Sequence, residues 1–194
     1  MNKVSSKLAL GSANFGLNYG LTNEAGKISK SELEKIILVA KYAGINTIDT
    51  AQGYGNSEAR IGLHDGSYFQ IVTKIDSLVN RHYEENYIPK LLEESLRRLK
   101  HERLYAVLLH RPEDLLSKKG LRIIADLNRL KERNIVSKIG ISIYSPCILS
   151  KILEITDLDI VQAPFNLFDQ RILSSGWANR LKEKGVEIHT RSVF

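Results

Sequence analysis

Short apolar runs of strand length recur along the chain, separated by longer segments whose apolar residues repeat at helical spacing. The strand-like runs are Leu8–Leu10, Ile45–Ile48, Tyr68–Thr73, Leu104–Leu109, Ser137–Ile141, Asp159–Gln162 and Val186–His189. Ser31-Glu32-Leu33-Glu34 has the form of a capping box and predicts a helix to about Tyr42, stopped at Gly44. Asn56 or Ser57 suits the cap of a short helix through Leu63. Between Tyr83 and Lys100, Ile88, Leu91, Leu92, Ser95, Leu96 and Leu99 form one stripe with charges opposite, and Pro89 fits the first turn. Pro112–Arg133, Pro146–Glu154 and Ser174–Lys184 read as three further helices, the last ended by Gly185.

This order, about seven strands and six crossover helices in strict alternation, predicts an α/β fold with a parallel sheet and helices outside it. An open doubly wound sheet and a closed (β/α)8 barrel both satisfy the pattern. No Gly-x-Gly-x-x-Gly follows the first strand, and the polar residues of interest follow several different strands, which favours the (β/α)8 TIM barrel. Neither an internal repeat beyond the βα unit nor a linker breaks the sequence, so 1–194 is expected to be a single barrel domain.

Composition narrows the function classes. Hydrophobic residues make up 43% of the 194 and charged residues 26%, ordinary for a globular chain with one core. The net charge of +6 is spread out, with no basic run interleaved with aromatics, so nucleic acid is not an expected partner. No run approaches the ~18 apolar residues of a membrane span, and the first residues do not read as a secretory signal, so a cytoplasmic protein is expected. One cysteine, Cys147, allows no disulfide framework. Five histidines (His64, His82, His101, His110 and His189) include no His-x-His pair, so no metal site is expected and a metal-dependent barrel hydrolase is disfavoured.

The chemistry concentrates at strand ends. Asp49 follows the second strand, Ile45–Ile48, and Tyr54 sits on its loop between Gly53 and Gly55. Lys74 ends the third strand and His110 the fourth. Singly, each has a bland reading: a turn acid, a packing tyrosine, a solvated lysine, a core histidine. Jointly, four such residues after three adjacent parallel strands would meet at one barrel mouth. The strand before Lys74 is apolar enough that its ammonium needs a partner, and Asp49 is the candidate.

These residues carry a resemblance to the aldo-keto reductase family. The similar stretches are Gly44 to Ala51, Tyr54-Gly55-Asn56-Ser57-Glu58, Thr73-Lys74, Ser95-Leu96-Arg97-Arg98-Leu99, Leu109-His110-Arg111-Pro112, Ile139-Gly140-Ile141-Ser142 and Val161-Gln162, in family order. The resemblance implies a (β/α)8 barrel and reversible NADPH-dependent reduction of a small-molecule carbonyl (an aldehyde, ketone or sugar), with NADH as the alternative cofactor. It gives Ser142 and Gln162 to the nicotinamide carboxamide. The residue after that serine is often Asn in the family and is Ile143 here. Arg191 falls at the position of an aromatic that stacks on the nicotinamide, and Ser192 at a pyrophosphate-binding serine.

The side-chain chemistry agrees with that assignment. No side chain donates hydride, so a nicotinamide must. A phenol can give the proton, but an ordinary tyrosine, at about 10, donates poorly near neutrality; a neighbouring ammonium favours the phenolate. Tyr54 is therefore the expected general acid, tuned by Lys74, with Asp49 anchoring Lys74. His110 is expected to hydrogen-bond the carbonyl oxygen and turn it toward Tyr54.

The sequence ends at Phe194, with the seventh strand, where barrels of this class run to ~250 residues. The expectation is a barrel incomplete at the C-terminus, prone to self-association through unpaired barrel edges. The rival function is a truncated, catalytically weak or inactive relative that acts as a binding or regulatory module.

Overall fold

The computed structural model describes residues 7–20, 23–64, 68–78, 83–84 and 86–193; the sequence readings that involve the first six residues, His82 and Phe194 lie outside these. Among the described residues seven strands are formed: β1 (Leu10–Gly11), β2 (Thr47–Asp49), β3 (Gln70–Ile75), β4 (Leu104–Leu109), β5 (Val136–Ser142), β6 (Ile160–Pro164) and β7 (Glu187–Arg191). They lie in one sheet in the order β1-β2-β3-β4-β5-β6-β7. The pairings β1–β2, β2–β3, β5–β6 and β6–β7 are parallel. Helical segments intervene at every step, so the chain follows the (β/α)8 pattern through its seventh strand.

The helices are α1 (Ala13–Gly16), α2 (Lys30–Tyr42), α3 (Ser57–Gly62), α4 (Tyr87–Leu99), α5 (Gly120–Glu132), α6 (Leu149–Leu153), α7 (Arg171–Ser174) and α8 (Trp177–Glu183). Pro112–Leu116 and Pro146–Ile148 form 3-10 turns leading toward α5 and α6. The expected Pro112–Arg133 and Ser174–Lys184 helices are thus each divided, and the short α1 has no counterpart among the predicted elements.

Two compact units divide the contacts: residues 1–74 with 90–105, and residues 75–89 with 106–194. In the first, α2 turns Leu33, Ile37 and Ala40 inward, and Ile48, Ile61 and Ile71 are buried with them. In the second, Ile123 and Leu127 of α5 are buried, as are Ile141, Ile160 and Val161 of the strands. Each such leucine, isoleucine or valine side chain contributes roughly 1.5–3 kcal/mol by leaving water. Tyr83 is buried in the second unit, its hydroxyl donating to Asp126 Oδ2 at 2.7 Å. Burial, and then that carboxylate, push its phenol far above the ordinary range, so it remains a donor.

Two local expectations are corrected. The helix α2 begins two residues earlier than Ser31 suggests, and its capping box is Ser29 with Glu32. Ser29 Oγ accepts from Glu32 N at 3.2 Å, and Ser29 N donates to Glu32 Oε2 at 2.8 Å. The chain is pinned just upstream, where Ile28 N donates to Asn14 O and Arg60 donates to Ile28 O, which fixes where the helix can start. The second correction concerns the strands: six of the seven, β4 excepted, run one or two residues further toward the C-terminus than their apolar runs, so Asp49, Lys74 and Ser142, each just past its run, lie within strands.

Candidate active site

In the first unit, β2 ends on Asp49 and β3 carries Lys74 next to its last residue. The two strands pair in parallel with Asp49 opposite Val72. Ladder-like bonds continue beyond Asp49: Thr50 N donates to Val72 O at 2.8 Å and Gln52 N to Lys74 O at 3.1 Å. This register brings the two side chains together. Lys74 Nζ donates to Asp49 Oδ1 at 2.8 Å, to Oδ2 at 2.7 Å and to the Thr50 carbonyl at 2.9 Å. The lysine is 1% exposed, so its charge is held by these three oxygens rather than by water.

Tyr54 reaches the same place from the loop between β2 and α3. Lys74 Nζ lies 5.2 Å from the centroid of its ring. The loop is shaped by backbone packing. Gly55 adopts φ +57°, and a Cβ there would sit 2.5 Å from Gly16 O. Tyr54 itself is half-buried. Three of the four residues expected to act together, Asp49, Tyr54 and Lys74, therefore form one group in the first unit.

A buried polar network supports that group, and sequence reasoning gave it no role. Glu58, 2% exposed, accepts from Thr73 Oγ1 at 2.7 Å and from Arg98 Nε at 2.7 Å. Thr73 directly precedes Lys74, and Glu58 is one helical turn beyond Tyr54. Arg98 is brought close because α3 and α4 touch at Gly62, where a Cβ would lie 2.2 Å from Arg98 O. Gln52 Nε2 donates to Ser95 Oγ and to Leu91 O, each at 2.9 Å. Ser57 Oγ donates to Ser12 O at 3.0 Å, which ties α3 to the end of β1 and explains why Asn56, not Ser57, occupies the cap position. The sequence signal was present, a Glu four residues after the tyrosine and an Arg in Ser95-Leu96-Arg97-Arg98, but spacing alone does not pair them.

The remaining expected residues belong to the second unit. His110 follows β4, and its Nδ1 lies 3.3 Å from Asp76 Oδ1. Ser142 and Gln162 are direct partners across β5 and β6; Ser142 Oγ donates to Gln162 Oε1 at 3.1 Å, and each is 3% exposed. Arg191 ends β7 opposite Pro164. Its guanidinium donates to Ile143 O at 3.1 Å and stacks 4.3 Å from the Tyr144 ring centroid, an engagement the sequence did not suggest. Ser192 sits at φ +55°, with its carbonyl accepting from Asn166 Nδ2 at 2.8 Å. Asn166 belongs to the loop after β6, where Asp169 binds Arg171 through both carboxylate oxygens. The Arg171 hydrogen bonds hold that carboxyl down at about 2. Among the described residues no group of His, Cys, Asp and Glu is arranged to hold a metal ion, and no helix is long and apolar enough to cross a membrane.

Solved structures share this fold. The PA4992 protein of Pseudomonas aeruginosa, assigned as an aldo-keto reductase, superposes with a TM-score of 0.78 at 22% identity, over 97% of this chain and 74% of its own. Aldo-keto reductase AKR11C1 of Bacillus halodurans, in its holo form, gives 0.77 at 20% identity, over 96% and 62%. An aldo-keto reductase of Klebsiella pneumoniae, solved in complex with NADPH, gives 0.72 at 17%, over 95% and 62%. The chain thus spans between three fifths and three quarters of the length of these relatives. Among curated proteins the sequence has no match. The profile of the Aldo/keto reductase family matches residues 7–194, and the chain belongs to that family.

Proposed function

We propose that the chain carries the catalytic centre of an NAD(P)H-dependent carbonyl reductase in which Tyr54 gives the proton. The observation that carries this reading is the buried Lys74 ammonium, clamped by both oxygens of Asp49 and 5.2 Å from the Tyr54 ring. A fixed positive charge beside a phenol favours the phenolate, so the phenol releases its proton to a developing alkoxide more readily than a tyrosine in water. Asp49 keeps Lys74 charged despite its burial and prevents it from swinging away. Thr73, held by Glu58, fixes the strand on which Lys74 stands.

The residues of the second unit fit a nicotinamide cofactor. Ser142 and Gln162 offer a hydroxyl and a carboxamide side by side on adjacent strands, complementary to the donors and acceptor of a nicotinamide carboxamide. Ser192 is the residue proposed to bind a pyrophosphate oxygen. Arg191 offers the nicotinamide whichever guanidinium face Tyr144 does not cover. Bound nicotinamide would supply the hydride. His110 is the residue proposed to position the substrate. The family relation and the NADPH complex of the Klebsiella protein favour NADPH over NADH. The substrate class is a small aldehyde, ketone or sugar carbonyl.

The test is an absorbance assay of nicotinamide oxidation by the complete gene product, with NADPH and NADH against a panel of aldehydes, ketones and aldoses. Carbonyl-dependent oxidation is expected. A folded protein inactive with both cofactors on every carbonyl overturns the reading.

A further inference from the structure

Strand β7 carries Glu187, His189 and Arg191 at alternate positions, so their side chains share one face. The register sets His189 opposite Gln162 on β6, and Gln162 opposite Ser142 on β5. Residues level with one another in a parallel sheet project to the same side, and neighbouring strands stand about 4.8 Å apart. Ser142, Gln162 and His189 therefore form one row across three strands, with Gln162 in the middle. On one flank of Gln162, Ser142 Oγ donates to its Oε1 at 3.1 Å. On the other flank stands His189, whose Nε2 lies 3.4 Å from Glu187 Oε2. The second oxygen of Glu187, Oε1, is held by Lys138 Nζ. Lys138 stands four residues before Ser142 on β5, so Lys138, Glu187 and His189 lie on the same face as the row and brace it from below. His189 has no part in the chemistry proposed so far.

We propose that His189 is a positioning residue of the cofactor site: set beside Gln162 and tethered to Glu187, it fixes the side-chain carboxamide that receives the nicotinamide. The inference rests on the reading of Gln162 as a nicotinamide contact. A glutamine side chain has three rotatable bonds, and ordering it at the moment of binding costs affinity. The hydrogen bond from Ser142 holds one atom of the Gln162 carboxamide and leaves its plane free to turn about that bond. A ring on the opposite flank removes this freedom before the cofactor arrives. His189 acts here by its bulk and its place, whatever charge the ring carries. Neutral and protonated imidazole have the same shape, and each can present an N–H at Nε2 to the Glu187 carboxylate.

The fixing of Gln162 can be read without any cofactor, from the mobility of its side-chain amide in nuclear magnetic resonance. The complete protein is labelled with 15N, and the Gln162 side-chain signals are assigned by their disappearance in Gln162→Ala. In wild type an order parameter of about 0.85 is expected, as in rigid backbone, and in His189→Leu a fall below about 0.6. A mobile Gln162 amide in wild type overturns the proposal, as does an order parameter unchanged in His189→Leu. Should His189→Leu fail to fold, His189→Asn withdraws the ring with a shorter polar side chain, and the same fall is expected.

The consequence for binding is measured by calorimetric titration with NADPH and with 2′-phospho-ADP-ribose, which has no nicotinamide. His189→Leu is expected to weaken NADPH binding about fivefold, the cost of ordering one flexible side chain, and to leave 2′-phospho-ADP-ribose unchanged. In a Gln162→Ala background the same substitution is expected to change neither. Unchanged NADPH affinity in His189→Leu, an equal loss for both ligands, or an NADPH loss that persists without Gln162 overturns the positioning role. A wild type that binds neither NADPH nor NADH counts against the proposed reductase function, and the order parameter still decides whether His189 fixes Gln162.

Discussion

Gly16 packs against the backbone of Tyr54 so closely that a Cβ on Gly16 would lie 1.8 Å from the Tyr54 carbonyl oxygen and 2.6 Å from Ser57 N. Both obstacles are backbone, and Ser57 N also donates to Tyr54 O, so neither can move without carrying the loop along. Gly16→Ala is therefore expected to shift the Tyr54 loop, cost about 1–3 kcal/mol of stability and lower turnover of the complete protein. Gly11→Ala is the control, because a Cβ there meets nothing within 4 Å. Equal denaturation midpoints for the two variants would contradict the close approach.

The Glu58–Arg98 pair makes a second prediction. Glu58 is almost fully buried while Arg98 is partly exposed, with 2.7 Å between Arg98 Nη2 and Glu58 Oε2. Arg98→Ala leaves a buried carboxylate supported by Thr73 alone and is expected to destabilise by about 3 kcal/mol. Arg98→Met combined with Glu58→Gln removes both charges and is expected to cost less than Arg98→Ala. Urea denaturation of the three proteins checks the order; a double variant weaker than Arg98→Ala would contradict it.

The cap of α2 is testable by position and by pH. Ser29→Ala is expected to cost about 1 kcal/mol, whereas Ser31→Ala should be nearly neutral. The Ser29 side-chain hydrogen bond, followed by its backbone N–H, holds the Glu32 carboxyl below its ordinary value of 4.5. A lowered carboxyl contributes stability that is present above the ordinary value and is lost as pH falls through the folded one. Thermal melts below pH 4.5 should therefore narrow the gap between wild type and Glu32→Gln, which is widest near neutrality.

Much of this architecture was legible in the sequence because helix and strand periods differ and the α4 stripe is regular: Ile88, Leu92, Ser95 and Leu99 are all buried where spacing placed them. Strand ends were less legible for a physical reason. Apolar runs stop at the first polar residue, but Asp49, Lys74 and Ser142 stay in the ladder because each finds a partner that a one-dimensional reading cannot see. The cap was ambiguous because Ser29-x-x-Glu32 and Ser31-x-x-Glu34 both have the form, and the choice depends on contacts from Asn14 and Arg60, distant in sequence. The residues of the proposed site were singled out by their strand-end positions and the family resemblance. Its supporting pairs, Glu58 with Arg98 and His110 with Asp76, join residues 40 and 34 positions apart and required coordinates.

Gln162 tests the cofactor assignment. If its carboxamide meets a nicotinamide, Gln162→Ala should weaken NADPH binding by about 1 kcal/mol, the net worth of one hydrogen bond. Fluorescence titration of the complete protein measures this directly. Unchanged affinity would reject the contact.

The central claim is that Tyr54 gives the proton, and the most direct measurement is the turnover number of Tyr54→Phe in the complete protein, with NADPH affinity measured on the same preparation. Removing one hydroxyl leaves the ring and the Lys74–Asp49 pair in place. A loss of roughly 10²–10⁴ in kcat with cofactor affinity unchanged is the predicted result. Turnover equal to wild type would contradict the account.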